Sequence, residues 1–254
     1  MTKQPVAYFI SDVHLGVYLE GYQQREPDLY GFLAGIEDGA QLYILGDLFD
    51  FWIDYRHAIR PDYFLALHHL KKLTDRDVSI HYLAGNHDFA LGTFLHDTLG
   101  IKVYTRCIEQ VIQGKKVFLC HGDGVLPQDR LYRLLRRVLR NPFNQWLYKL
   151  MHPDIGVSLG TFFSFSSRSN RAEPTAERIA EYCHTAETFL KKRNADCVLF
   201  GHTHTPAFHR FDNGGIYCNT GEWIRQYTYA RMRDGQLLLM RYLPGQGSAV
   251  YDLS

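Results

Sequence analysis

Five short apolar runs in this chain are each followed at once by Asp, His or Asn. Residues 6–10 lead into Ser11-Asp12-Val13-His14, and residues 42–45 into Gly46-Asp47. Residues 80–84 lead into Gly85-Asn86-His87-Asp88, residues 117–120 into His121-Gly122-Asp123, and residues 197–200 into Gly201-His202-Thr203-His204. Runs of this length, rich in Val, Ile, Tyr and Phe, have the pattern of buried strands. Between them lie helical patterns at residues 28–36, 62–74, 94–99 and 175–192, three of them headed by Pro27, Pro61 and Pro174. Alternating strands and helices specify an α/β fold, in which ligands collect beyond the carboxyl ends of the strands. The chain is therefore expected to gather five sets of polar side chains into one cluster.

Two hairpins are expected, one around Gln113-Gly114 and one around Asp234-Gly235. Hairpins require antiparallel pairing, so the sheets should be mixed. The stretch 126–194 interrupts the alternation and reads as a helical cap inserted into one domain spanning 1–254. Within it Leu131, Leu134, Leu135, Val138 and Leu139 share one helix face, and Arg130, Arg133, Arg136, Arg137 and Arg140 take the remaining positions. Asn141-Pro142 ends that helix and a second apolar one follows. The 254 residues suit one large domain carrying an insertion.

Lys plus Arg total 28 against 27 acidic residues, a net charge of +1, which does not suggest nucleic-acid binding. The local excess of basic residues in the cap, interleaved with Leu, suits an anionic lipid surface better. No apolar run approaches the ~18 residues that cross a bilayer. The N-terminus enters the first strand without a basic segment and long apolar stretch, so a cytoplasmic protein is expected, peripheral to the inner membrane face at most. The five cysteines form no CxxC pair and are expected to be reduced thiols.

Asp, His and Asn together offer oxygen and imidazole donors, which suit Mn, Fe, Co or Zn better than Mg or Ca. In this order, D-x-H, G-D, G-N-H-D, H-G-D and G-H-x-H resemble the full signature of the calcineurin-like metallophosphoesterases, over about residues 6–125 and 195–242. The resemblance implies a sandwich of two mixed β-sheets flanked by helices, and two divalent metal ions, manganese first among them. Asp12, His14 and His204 would hold one ion, Asn86, His121 and His202 the other, and Asp47 would bridge them. Such ions sit ~3.5–4 Å apart and activate a water for in-line attack on phosphorus. His87 would contact the substrate phosphate or protonate the leaving oxygen. Asp88 would either hold the His87 ring by accepting its other N–H or cap a following helix. Asp123 would orient His121 or serve a turn. Gly46, Gly85 and Gly201 would let the backbone turn tightly at the metals.

Residues 42–53, the cap segment 135–142 with Trp146-Leu147, and Gly201-His202-Thr203-His204-Thr205-Pro206-Ala207 are similar to the branch of that family that hydrolyses UDP-2,3-diacylglucosamine in lipid A biosynthesis. The implied products are UMP and 2,3-diacylglucosamine 1-phosphate, and the implied partner is a nucleotide-linked lipid. Phe143, Trp146, Leu147, Leu150, Phe162, Phe163 and Phe165 would line an acyl pocket or pack the cap against itself. Ser167, Arg168, Arg171 and Arg137 would contact the substrate head group. The chain departs from that branch at one place, with His87 where the familiar lipid A enzymes have Arg. Imidazole can give up a proton and guanidinium cannot, so catalysis is kept while another phosphoester becomes an alternative substrate. A non-catalytic scaffold would be expected to have lost ligands, and none is missing.

Overall fold

The computed structural model describes residues 4–17, 23–169 and 174–253, with the side chains of all of these but 166–169. In chain order the elements are β1 (Ala7–Ile10), α1 (Arg25–Ala34), β2 (Gln41–Ile44), β3 (Trp52–Ile53), α2 (Phe64–Thr74), β4 (Ser79–Leu83), β5 (Asp88–Ala90), α3 (Phe94–Leu99) and β6 (Lys102–Tyr104). There follow β7 (Ile108–Ile112), β8 (Lys115–Leu119), α4 (Arg130–Leu139), α5 (Pro142–Lys149), α6 (Pro153–Ser169) and α7 (Ala176–Arg193). The chain closes with β9 (Cys197–Phe200), β10 (Ala207–Arg210), β11 (Ile216–Asn219), β12 (Thr228–Arg233), β13 (Gln236–Leu243) and β14 (Gly247–Val250).

Two mixed sheets form the body. One runs β14-β13-β12-β1-β2-β4-β6 and the other β10-β11-β9-β8-β7. Strands β1, β2, β4 and β6 are parallel, as are β8, β9 and β11, and antiparallel strands flank both groups. Both expected hairpins form, β7 with β8 and β12 with β13. Alternation along β1 sorts its side chains. Phe9 points between the sheets with Tyr43, Leu45, Leu119 and Leu199, while Tyr8 and Ile10 pack with residues of α1 and α2. On the far side of the second sheet, Tyr182, Ala186 and Leu190 of α7 pack on Phe118, Val198 and Tyr217. The result is a helix–sheet–sheet–helix sandwich.

Helices α4, α5 and α6 lie over the strand ends. Asn141 caps α5 by accepting from the Phe143 amide, and Pro142 opens it. The shared apolar face of α4 forms as expected, but none of it is buried against the core. Arg133 reaches the carbonyls of Gly124, Leu126 and Pro127, Arg136 reaches Asp123, and Arg140 reaches the carbonyls of Gly85 and Thr105. Arg133, Arg136 and Arg140 bind the core because loop carbonyls there need donors, which leaves Leu131, Leu134 and Val138 outward and Leu135 and Leu139 along a cavity beside α4. Leu131 is 79% exposed. The cysteine expectation holds for Cys183, Cys197 and Cys218, whereas Cys107 and Cys120 are joined in a disulfide.

Candidate metal centre

Strands β1, β2 and β4 of one sheet and β8 and β9 of the other end at the same edge, and each is followed by a loop of one to four residues that delivers its ligand. The loops are laced together. The amides of Val13 and His14 donate to the Asp47 carbonyl at 2.9 and 3.0 Å, the Asp12 amide donates to Gly46, and the Gly201 amide to His121. Asp12, His14, Asp47, His202 and His204 all have φ between 51° and 68°, the left-handed region that non-glycine residues rarely adopt. Such strain persists only where surroundings over-determine it, and it concentrates at functional sites. Gly46 has φ of 95°, and a Cβ there would stand 2.6 Å from the Gly85 backbone. Gly85 is required for a different reason, since a Cβ on it would lie 2.2 Å from Asp47 Oδ1. It is close approach at Gly85 and Gly201, rather than a special backbone angle, that excludes a side chain there.

The seven expected ligands converge in two groups. In one, His204 Nε2 lies 3.2 Å from Asp12 Oδ1 and 3.3 Å from His14 Nε2. In the other, Asn86 Oδ1 lies 3.0 Å from His121 Nε2 and 2.9 Å from His202 Nδ1. Asp47 stands between, with Oδ2 3.2 Å from His121 Nε2. His121 Nδ1 donates to the Leu45 carbonyl at 2.7 Å, which leaves Nε2 to face the centre. Asp12 and Asp47 are completely buried, and among the described residues Asp12 Oδ1 and Asp47 Oδ2 meet no donor other than the imidazoles of the site. Buried carboxylates faced only by imidazole nitrogens are what a cation would satisfy, and the donor set fits a pair of borderline divalent ions.

The charges favour the same use. Burial opposes ionisation of Asp12 and Asp47, but the rings of His204 beside one and His121 beside the other hold both well below the ordinary carboxylate range. Burial also opposes charge on His121, and the Asp47 carboxylate overcomes it, pushing the ring up to about 10. A cation on Nε2 would take the place of that proton.

Several expected partners are different in the structure. The Asp88 carboxylate does not touch the His87 ring and caps no helix, because β5 begins there. It accepts from the amides of Gly85 and Asp47 at 2.8 and 3.1 Å and from Tyr82 Oη at 2.8 Å, so it holds the two ligand loops together. Burial, with Asp47 nearby, raises its carboxyl to about 6. The His87 ring is held instead by the Asp50 carbonyl, 2.7 Å from Nδ1, and by Ser164 Oγ at 2.9 Å. Asp123 does not orient His121, which already uses Leu45. It accepts from Tyr132 Oη at 2.7 Å and Arg136 Nη1 at 2.8 Å and so anchors α4.

A cavity of about 950 Å³ opens from Asn86 and His87 and runs between α4, α5 and α6. It is lined by the apolar side chains of Leu135, Leu139, Leu147, Leu150 and Phe163, and also by Tyr132, Arg136 and Arg140, which hydrogen-bond to Asp123 and to the Gly85 carbonyl beside the ligand loops. Arg137, expected at the head group, is exposed and does not line it; Arg136 and Arg140, one helical turn apart, do. Phe143, Trp146, Phe162 and Phe165 are exposed outside it. Ser167 and Arg168 lie in the last turns of α6 with side chains outside the described residues, and Arg171 lies outside them altogether. Sequence reading missed Asp50, Tyr132, Ser164 and Arg140. Only a Gly156-x3-Gly160-x3-Ser164 spacing in α6 could have pointed to one of them.

Comparison with known proteins gives concordant results. The family model described as calcineurin-like phosphoesterase matches residues 6–206. A Porphyromonas gingivalis protein named UDP-2,3-diacylglucosamine hydrolase is 30% identical, over 92% of this chain and 95% of its own length. Proteins of the same name from Edwardsiella ictaluri and Neisseria meningitidis serogroup B are 30% and 26% identical, over 93% and 90% of this chain and 91% and 94% of theirs. Among solved structures, vacuolar protein sorting 29 from Cryptosporidium parvum shares the fold, with a TM-score of 0.50 and 15% identity, over 98% of this chain and 96% of that one.

Proposed function

The chain belongs to the calcineurin-like phosphoesterase family and is a metal-dependent hydrolase, and from that premise we propose that it cleaves the pyrophosphate bond of UDP-2,3-diacylglucosamine, releasing UMP and 2,3-diacylglucosamine 1-phosphate. The observation that carries this reading is the cavity of about 950 Å³, which joins Asn86, His87, Arg136 and Arg140 to a lining of Leu and Phe side chains. A soluble phosphoester needs no such apolar extension, whereas a nucleotide-linked lipid needs both ends. The relatives named for this activity support the same substrate.

Asp12, His14 and His204 would hold one divalent ion, Asn86, His121 and His202 the second, and Asp47 would serve both. When bound, such a pair neutralises phosphate charge and makes a water acidic enough to attack phosphorus. The chain's own residues do the rest. Arg136 and Arg140 stand at the polar end of the cavity, where cationic donors meet a diphosphate. His87, with Nδ1–H given to the Asp50 carbonyl, turns Nε2 toward the centre, 4.0 Å from Asp47 Oδ2. A leaving phosphate, whose own pKa is ~6, needs little proton assistance, so His87 serves chiefly to hold a phosphate oxygen. The apolar lining excludes water from the acyl chains.

No helix among the described residues is long and apolar enough to cross a membrane. The outward faces of the cap carry Leu131, Leu134, Val138, Phe143, Trp146 and Phe162, all exposed, and these would rest on the lipid surface that supplies the substrate.

The test is release of UMP from UDP-2,3-diacylglucosamine with Mn²⁺, beside its deacylated counterpart and bis(p-nitrophenyl) phosphate. Efficient turnover of the acylated nucleotide alone is expected. Hydrolysis of only the synthetic diester would retain the hydrolase and overturn this substrate, in favour of the other phosphoester that His87 admits.

A further inference from the structure

Helix α6 belongs to the cap, yet one of its side chains reaches the metal centre. It comes close through a row of small residues. A Cβ on Gly156 would meet Tyr55 Oη at 1.9 Å, and one on Gly160 would meet the Phe51 ring at 2.2 Å. The next residue in the row is Ser164, only 6% exposed. Its hydroxyl donates to Asp50 Oδ1 at 2.7 Å, and its oxygen lies 2.9 Å from His87 Nδ1. The Nδ1 proton is thus shared between the Asp50 carbonyl and Ser164 Oγ, and the ring is held at that one atom by two acceptors. Gly160, Phe163 and Ser164 also line the apolar cavity. A molecule filling that cavity therefore presses on the same helix that holds His87.

We propose that Ser164 is a positioning residue that fixes the His87 ring and makes its alignment depend on how α6 is seated, so that a filled apolar cavity raises turnover as well as binding. The half of this that concerns acyl chains rests on the substrate reading above. Contacts made in a remote part of a substrate raise kcat when they help assemble the reacting site.

The experiment compares the wild-type chain with Ser164→Ala, Ser164→Thr and His87→Ala, alone and combined, loaded with Mn²⁺ and with bound metal counted. On bis(p-nitrophenyl) phosphate, Ser164→Ala should lower kcat by about 10–100-fold, with KM changed less than about threefold and the metal content kept. Ser164→Thr, which retains the hydroxyl, should recover most of the loss. In the His87→Ala background Ser164→Ala should change nothing further, because it acts through that ring. On the lipid nucleotide, the advantage in kcat of the diacylated over the deacylated form should collapse toward unity in Ser164→Ala. An unchanged kcat, a loss that adds fully to that of His87→Ala, or a loss that follows metal content would overturn the positioning role. Persistence of the acyl advantage in Ser164→Ala would overturn the coupling. If the wild type cleaves the diester and not the lipid nucleotide, the substrate reading fails by itself, and the diester series alone decides the role of Ser164.

Discussion

The metal centre and the cap over it are built on opposite terms. At the centre, the carboxylates of Asp12 and Asp47 are wholly buried, five of the seven proposed ligands are held in left-handed backbone, and neighbouring loops exchange amide hydrogen bonds. In α4 and α5 no residue is buried, and Leu, Phe and Trp side chains face outward. The first region is preorganised and strained, so its geometry exists before any ligand arrives. The second exposes apolar surface that a protein interior would ordinarily cover, which under the proposed function substrate or a lipid surface would cover. Chemistry and selectivity are therefore expected to separate by region.

The largest effect should come from Asp47→Ala, which removes the carboxylate shared by both ligand groups. Activity on any phosphoester should fall on the order of 10³-fold or more, with metal content reduced in elemental analysis and the far-ultraviolet circular dichroism unchanged. Residual turnover near wild type would break the assignment of the centre. In the cap, Leu139→Asp or Leu147→Asp puts a charge on the cavity wall. The ratio of kcat/KM for diacylated to deacylated nucleotide should drop on the order of tenfold or more, and an unaltered ratio would sever the cavity from acyl selectivity.

A smaller effect is expected where the two regions are tied. Asp123→Asn weakens the acceptor shared by Tyr132 and Arg136. A loss of about 1–3 kcal/mol in denaturant unfolding is expected, and α4 should become more sensitive to proteolysis while the metal content stays constant. The smallest effect belongs to the body of the fold. Burial, aided by Lys102, pushes the ring of His81 down to about 4. A group with a depressed folded pKa supports stability above its unfolded value, ~6.5 for His. That support is lost as pH falls toward about 4, because the unfolded chain takes up the proton first. Replacing His81 with Gln should therefore flatten the fall of Tm between pH 7 and 4.5 by a few degrees. An equally steep fall would show that other groups govern acid sensitivity there.

The convergence of the seven proposed ligands was legible in the sequence because they are local features. Each stands within four residues of a strand end, and parallel strands bring their carboxyl ends to one edge whatever surrounds them. Strand alternation, both hairpins and the helix at α4 follow from period and turn chemistry in the same way. The roles of Asp88, Asp123 and Arg137 were not legible, because each depends on what lies across space. Asp88 meets Tyr82 and two loop amides, and Asp123 meets a helix nine to thirteen residues on.

Helix α4 states the division most plainly. Periodicity established that five Leu and Val side chains share one face and that the Arg residues take the other. It carried no information about which face the protein would keep. The tertiary structure turned the Arg side inward, since the carbonyls of Gly85, Gly124 and Leu126 and the carboxylate of Asp123 offer acceptors there. Ser164 belongs with it, because no pattern in the chain joins it to His87, 77 residues away, until α6 is laid across Phe51. Local order chose the ligands and the elements that carry them. Only packing decided which faces meet, because a helical period sets the spacing of side chains and leaves the rotation of the helix to its neighbours.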